Sequence, residues 1–358
     1  MIFLADLPKP LHGMSNVNQQ MLNVLKKSNA KVIVINTAPS YGAAFFKTKR
    51  WAVLKVFHTL LCALRLILAL VFSGERAVYR PIYGGFGQVY DVLYLGILQI
   101  FRCKIVIHHH SFEYLHNRKR LFAKTNQVAG TNAIHLVLGD AMRDSLTKYY
   151  GIPGQRIIKL SNLAFFEQDG ESIRLDDHQA PWLGHLANLC DVKGIDVVDG
   201  LCRRLAQDGV DFHARIAGPF ADEVARVRVL SLNEDLQQVD YLGPVYDDAK
   251  DVYYGSLDIF IFFSKYVSEA EPLVLYEAGQ QGCYIIGSNR GCMGSMINDL
   301  QGLSLDWQSA PIEAIVGKIQ QLAQSGALTY EARLARAAHF NQLQRAERAA
   351  LDEVIGLF

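Results

Sequence analysis

The apolar positions fall into short β-branched runs separated by longer stretches of helical period, the pattern of βαβ units built around parallel sheets. In the first half, residues 31–36, 76–79, 104–109 and 135–138 read as strands, and 17–27, 51–72, 89–101 and 141–150 as helices. Residues 165–180, FFEQDGESIRLDDHQA, turn polar and acidic without a period and read as a connection between domains. The alternation then restarts, with strands expected at 181–186, 211–217, 238–242, 258–263 and 283–287. Helices are expected at 195–208, 222–232, 249–255 and 273–282, and an amphipathic helix over 331–358 closes the chain. The fold class is therefore α/β, with two Rossmann-like, doubly wound domains facing across a cleft. Ligands of such sheets bind beyond the carboxyl ends of the strands.

The chain has 358 residues, half of them apolar, which suits two domains and excludes disorder as a description of the whole. Its 36 Lys and Arg against 35 Asp and Glu give a formal charge of +1. That balance argues against a nucleic-acid partner, because a nucleic-acid binder carries a basic excess on at least one domain. The six cysteines show no Cys-x-x-Cys spacing, so neither a zinc module nor a disulfide framework is expected, and a cytoplasmic location is. The first seven residues run into Pro8 and Pro10 without an apolar core, which argues against a secretory signal.

Residues 51–72, WAVLKVFHTLLCALRLILALVF, change that picture. The uncharged runs on either side of Arg65 are about nine residues each, whereas a span needs about 20, so the segment is not expected to cross a bilayer. Lys47, Lys49, Arg50, Lys55 and Arg65 suit a helix lying on an anionic membrane surface, here the inner face. The other reading is a buried helix whose charged heads reach out to water.

The densest chemistry lies in residues 262–282, FFSKYVSEAEPLVLYEAGQQG. Pro272 reads as the first helical residue, with Leu273 following, because the N–H it lacks would be unpaired there anyway. Gly282 suits the C′ position of that helix. The helix start follows a strand ending at Ser264, and its free N–H groups suit a phosphate. Glu269 precedes the helix within reach of sugar hydroxyls, and Glu277 sits in its second turn within reach of a ribose. Ordinary stabilisation of the helix dipole is the plain alternative for both glutamates.

Glu269 and Glu277 are separated by seven residues. This Glu-x7-Glu element before a Gly-terminated helix resembles that of the retaining, group 1 glycosyltransferases of family 4, which have the GT-B fold. Further elements are similar in the family's order: His12-Gly13-Met14-Ser15 after the first strand, KIVIHHHSF, the segment ending at Asn162, and Ala187-Asn188-Leu189-x3-Lys193-Gly194. "ARIAGPF" with Gly218, "VDYLGPV" with Gly243 and "LDIFIFFSKY" follow. The resemblance implies an acceptor-side domain over 1–165, a linker over 166–180, a donor-binding domain over 181–338 and a helix, 339–358, crossing back to the first domain.

It also implies transfer of a sugar from a nucleotide-diphosphate sugar to a hydroxyl acceptor with retained anomeric configuration and without a metal or other cofactor. The partners implied are the nucleotide-sugar and a glycan or lipid-linked acceptor, in cell-surface polysaccharide or glycolipid synthesis. Carried over residue by residue, Glu277 binds ribose, and Lys193 with the Pro272–Leu273 helix start meets the diphosphate. Glu269 binds sugar hydroxyls, His110 sits near the sugar's reacting end, and Ser264, Gly218 and Gly13 line the site. Asn188 departs from the family's arginine, and Lys265, Arg290 or Arg143 are the available replacements.

Two further patterns have competing readings. Alternate side chains of a strand face opposite ways, so His108, His109 and His110 are not expected to converge on one metal. Tyr79, Tyr83, Phe86, Tyr90 and Tyr94 read as packing or as a sugar-stacking wall. Against the transferase stand a GT-B sugar-nucleotide epimerase and a non-catalytic nucleotide-sugar binder, the latter motivated by Asn188. A dinucleotide dehydrogenase lacks its Gly-x-Gly-x-x-Gly turn.

Overall fold

The computed structural model describes residues 1–9, 13–28, 31–45, 48–166, 178–306, 308 and 312–358. His12, Lys47 and most of the connection expected at 166–180 lie outside the described residues. The chain divides into two compact units, Met1–Phe166 with Ala346–Phe358, and Glu167–Arg345.

Unit 1 holds a parallel sheet of β1 (Ile2–Ala5), β2 (Ile33–Asn36), β3 (Ala77–Ile82), β4 (Lys104–His109), β5 (Ile134–Val137) and β6 (Ile157–Lys159), in the order β2-β1-β3-β4-β5-β6. Its helices are α1 (Gly13–Lys27), α2 (Lys49–Ser73), α3 (Gln88–Ile100), α4 (Arg120–Ala129) and α5 (Asp140–Tyr150). Thr48 caps α2 by accepting from the Trp51 N–H, and Gly74 ends it in the left-handed conformation. Unit 2 repeats the plan with β7 (Trp182–Leu186), β8 (His213–Ala217), β9 (Val239–Tyr241), β10 (Ile259–Phe262), β11 (Tyr284–Ser288) and β12 (Leu303–Leu305), in the order β12-β11-β10-β7-β8-β9. Around it lie α6 (Ile195–Gln207), α7 (Glu223–Asp235), α8 (Ala249–Gly255), α9 (Leu273–Gln280), α10 (Met293–Asp299), α11 (Ile312–Gln324) and the start of α12 (Tyr330–Ile355). Leu183, Ile216, Ile259 and Ile261 fill its core with Ile195 and Leu201 of α6 and Ile315 and Ile319 of α11.

In both sheets the strand order reverses beside the unit's first strand, at β1/β3 and at β7/β10. These are the switch points where connections leave in opposite directions and open a crevice at the carboxyl ends. The last residues of α12 belong to unit 1, where Glu347 pairs with Lys159 at 3.1 Å and Arg348 donates to the Ala164 carbonyl.

Three observations correct expectations. Lys55 is no part of an outer basic face, since α2 turns it inward to Asp6 at 3.1 Å. The aromatic run forms no single wall: Tyr79 and Tyr94 are fully buried, Tyr83 bonds Asp6 and Phe86 is exposed. Neutrality of the whole chain also conceals a division. Unit 1 carries 22 Lys and Arg against 9 Asp and Glu, a net of +13, and unit 2 carries 14 against 26, a net of −12.

The three histidines at the end of β4 point to different partners. His108 Nδ1 meets the Tyr79 hydroxyl at 2.7 Å, while His109, on the other face, meets Tyr114 at 2.8 Å and His135 at 3.0 Å. Burial, reinforced by neighbouring histidines, pushes His108 and His109 well below the ordinary imidazole value, and burial with Arg156 brings His135 down to about 3. All three are neutral in the folded protein, but in the unfolded chain each takes up a proton below a pH of about 6.5. Stability is therefore complete above that pH and falls below it, by about 1.4 kcal/mol per pH unit for each histidine until its folded value is reached. The urea midpoint of unfolding should drop between pH 7.5 and pH 5, and a flat profile would refute the buried neutral cluster.

Candidate functional site

The switch point of unit 2 is assembled by two loops that approach each other at backbone distance. After β7 the chain runs beside the loop following β8, the Leu189 N–H donating to the Pro219 carbonyl at 2.8 Å and the Ala221 N–H to the Leu189 carbonyl at 2.9 Å. Gly218 makes this approach possible: its φ is +124°, and a Cβ there would lie 1.8 Å from the Ala187 carbonyl oxygen. Gly194, at φ +93°, sits so close to the end of β10 that a Cβ would lie 2.6 Å from the Phe263 carbonyl oxygen. The Lys265 N–H then donates to the Val192 carbonyl at 2.7 Å. Two glycines thus hold Lys193, from the loop after β7, against the residues that follow β10.

There Lys193 pairs with Glu269 and stands 4.8 Å over the ring of Tyr266, while the Ser264 hydroxyl donates to the same Glu269 oxygen at 2.8 Å. The pair is mostly buried, with side-chain exposures of 23% and 11%. A cation and a carboxylate share one small volume, each within reach of a ligand seated on them. Lys265 pairs with Asp196 in the first turn of α6.

Helix α9 starts at Leu273, and Pro272 is not its first residue. Pro272 is extended, at φ −70° and ψ 127°, so it is the N-cap and Leu273 is the first helical residue. The reason is that a proline N-cap sets the entry direction without needing a donor. Gly282, at φ +72°, is the C′ residue, and its N–H donates to the Gly279 carbonyl. On this helix Glu277 takes Lys250 at 2.7 and 3.0 Å and the Tyr254 hydroxyl at 2.9 Å. Burial, then the Glu277 charge, pushes the Tyr254 phenol well above its ordinary value, so it remains a donor.

Several of these partners are not announced by the sequence. Tyr266 ends the LDIFIFFSKY element without a role of its own there, whereas Lys250 and Tyr254 lie four apart and share one face of α8, a signal that the helical period supplies. Glu271 is buried and accepts from the Tyr276 hydroxyl at 2.6 Å. Asn188 is exposed on its loop. Among the three replacements considered for it, Arg143 is on α5 of unit 1 beside Asp140 and Asp144, and Lys265 is engaged by Asp196. Arg290 donates to the Tyr266 carbonyl at 3.0 Å. Burial lowers its guanidinium from the ordinary value while the Glu269 charge supports it, which places it in the field of the Lys193 and Glu269 pair.

The remaining site residues of the sequence reading lie in unit 1. His110 is half-buried, its ring 4.0 Å from that of His108. Gly13 opens α1, and among the described residues a side chain there would meet open space, so no close approach requires glycine.

Residues 173–339 match the family described as glycosyl transferases group 1. No curated protein matches the chain significantly in sequence. Its fold is shared by sucrose-phosphate synthase from Thermosynechococcus elongatus, 15% identical, with 99% of this chain and 97% of that one aligned and a TM-score of 0.74. It is shared by the lipopolysaccharide outer core galactosyltransferase WaaB, 15% identical, with 99% and 98% aligned at a TM-score of 0.70. HepE from Anabaena, solved in complex with UDP-glucose, is 14% identical over 100% of this chain and 99% of that one at a TM-score of 0.68. The chain shares the GT-B fold of these structures, and its residues 173–339 are similar to the group 1 glycosyltransferases.

Proposed function

We propose that this protein is a retaining glycosyltransferase that moves a sugar from a nucleotide-diphosphate sugar to a hydroxyl of a glycan or lipid-linked acceptor. Its place would be in the synthesis of cell-surface polysaccharide or glycolipid. The observation that carries the reading is the convergence of Lys193, Glu269 and Ser264 at the β7/β10 switch point, just before the start of α9 and within the stretch matching the family. As the donor's glycosidic bond breaks, charge develops on the departing diphosphate. Lys193 and the N–H groups opening α9 meet it in this reading, in which no metal cofactor takes part. Glu269 accepts from sugar hydroxyls, Glu277 from the ribose, and His110 serves the sugar's reacting end. The acceptor oxygen bonds to the anomeric carbon on the face the phosphate leaves, and its proton passes to the departing phosphate oxygen. Arg290 supplies the second cation that Asn188 does not.

A uridine diphosphate sugar is the first donor to test, since the Anabaena relative was solved with one. Replacing Glu277 by alanine removes charge-assisted bonds to ribose and should weaken uridine diphosphate binding by about 1.5–3 kcal/mol, one to two decades. Titration calorimetry in excess chelator reads this, and NMR of the product's anomeric proton reads retention. Unchanged affinity would remove Glu277 from the donor site, and an inverted product would overturn the retaining mechanism.

A further inference from the structure

Helix α2 is amphipathic in an unusual sense. After a first turn that exposes Lys49 and Arg50, its polar side chains at 55–59 face inward, with Lys55 on Asp6, His58 on the Asn36 carbonyl and Thr59 buried. Past that first turn and as far as Phe72, its outward face is apolar apart from Arg65. Val53, Phe57, Leu60, Leu64, Leu68 and Phe72 are 46–82% exposed and form a stripe about 28 Å long at 1.5 Å per residue. Helix α3 packs beside α2 and continues the surface with exposed Val89, Leu93 and Ile100. So long a run of exposed apolar side chains marks an interaction surface, unlike the singly scattered ones of an ordinary soluble face.

The charge around this face has one sign. Lys49, Arg50 and Arg65 are exposed on α2, and Arg118, Lys119, Arg120 and Lys124 are exposed at α4, which packs on α3. Residues 1–113 hold 13 Lys and Arg against four acids, and of these Asp6 is taken by Lys55. Glu75 pairs with the Met1 amine at 2.9 Å, and Asp91 is buried against Arg80. A second copy meeting this face through a twofold axis would bring two units of net +13 together, like charge on like. A nucleic acid would find cations but an apolar stripe without hydrogen-bonding groups. A surface that accepts both apolar side chains and cations is an anionic lipid leaflet.

We propose that the outer face of α2, continued by α3, seats unit 1 on an anionic membrane surface, α2 lying in the plane of the interface. The helix does not cross the bilayer. Its inner face is committed to unit 1, Lys55 to Asp6 and Cys62, Leu66 and Leu70 to the core, and spanning would strip all of these. The proposal rests on exposure and charge alone and stands apart from the sugar-transfer reading.

The test is flotation of the full chain with vesicles of phosphatidylcholine alone and of phosphatidylcholine with equal phosphatidylglycerol, with light scattering to give the oligomeric state. The protein should float with the anionic vesicles at low salt, and less as salt rises. Replacing Leu60, Leu64 and Leu68 together by glutamine should weaken binding at least tenfold without lowering the melting temperature, since all three are exposed. Replacing Lys49, Arg50 and Arg65 by glutamine should weaken binding to anionic vesicles on the order of 10²-fold. Failure to float at low salt would overturn the proposal. So would flotation indifferent to the leucine changes, or a dimer that those changes dissociate while vesicles bind no protein.

Discussion

Replacing Lys193 by alanine is expected to lower kcat about 10²–10³-fold while leaving the fold intact. The ammonium is aimed by its loop, which Gly194 presses onto the end of β10, and it stands over the Tyr266 ring beside Glu269. A charge fixed before the reaction needs no reorganisation when the leaving diphosphate develops its own, and one such donor is commonly worth about 2.7–4 kcal/mol. The loss should appear in kcat more than in KM, because the charge grows only as the glycosidic bond breaks. The change also leaves Glu269 with Ser264 but without its cation. Replacing Glu269 by glutamine alone should therefore cost activity without removing the diphosphate's partner. Transfer to the parent level by the Lys193→Ala protein would place the diphosphate elsewhere and undo the assignment of this loop. A second change, Arg290→Gln, tests whether that arginine stands in for the family's cation at Asn188: it should weaken nucleotide affinity in the parent and further in the Lys193→Ala background.

What could be read from the chain follows from how much of each feature is local. Strands β7 to β11 and helices α6 to α9 follow apolar runs or helical periods, and they stand within a few residues of their expected places. Helices α4, α10 and α11, and strands β1, β6 and β12, lie outside that pattern; the strands have three or four residues and show no period, and α4 is rich in polar side chains. The site divides in the same way. Lys193, Glu269 and Ser264 lie in motifs with their own spacing, whereas Arg290, which follows β11, reaches the Tyr266 carbonyl only because β10 and β11 lie side by side. Lys55 is the sharpest case. A lysine in an apolar helix reads as surface, and only the position of Asp6 at the end of β1 shows why it turns inward. Charge totals fail for a related reason: +13 and −12 sum to almost nothing until the boundary between the units is known.

Removing Asp91 should be the most destabilising single change in unit 1. Arg80 is wholly buried on β3, and its Nε and Nη2 both donate to Asp91 Oδ1, at 3.1 and 2.7 Å. Asp91 Oδ2 accepts from the Tyr83 N–H at 3.0 Å, so one carboxylate ties β3, the loop after it and α3 together. Burial works against the Arg80 charge, but Asp91 overrides it and holds the guanidinium above its ordinary value. The remaining N–H groups reach the Leu4 carbonyl and Thr37, which leads to the Asp6, Lys55 and Tyr83 cluster at the β1/β3 switch point. In the Asp91→Ala protein a full positive charge stays in a dry site with only neutral acceptors, which typically costs about 3–5 kcal/mol. A shortfall of that size is a large part of the stability of a domain. The same physics says that the pair itself contributes little, since both ions were taken out of water to make it. The double change Arg80→Met with Asp91→Leu should therefore recover much of what Asp91→Ala loses. Urea unfolding of the parent, Arg80→Met, Asp91→Leu and the double variant measures this as a cycle. Additive losses in the double variant would show that the two residues act separately, and the network would have to be read as packing rather than as a paired buried charge.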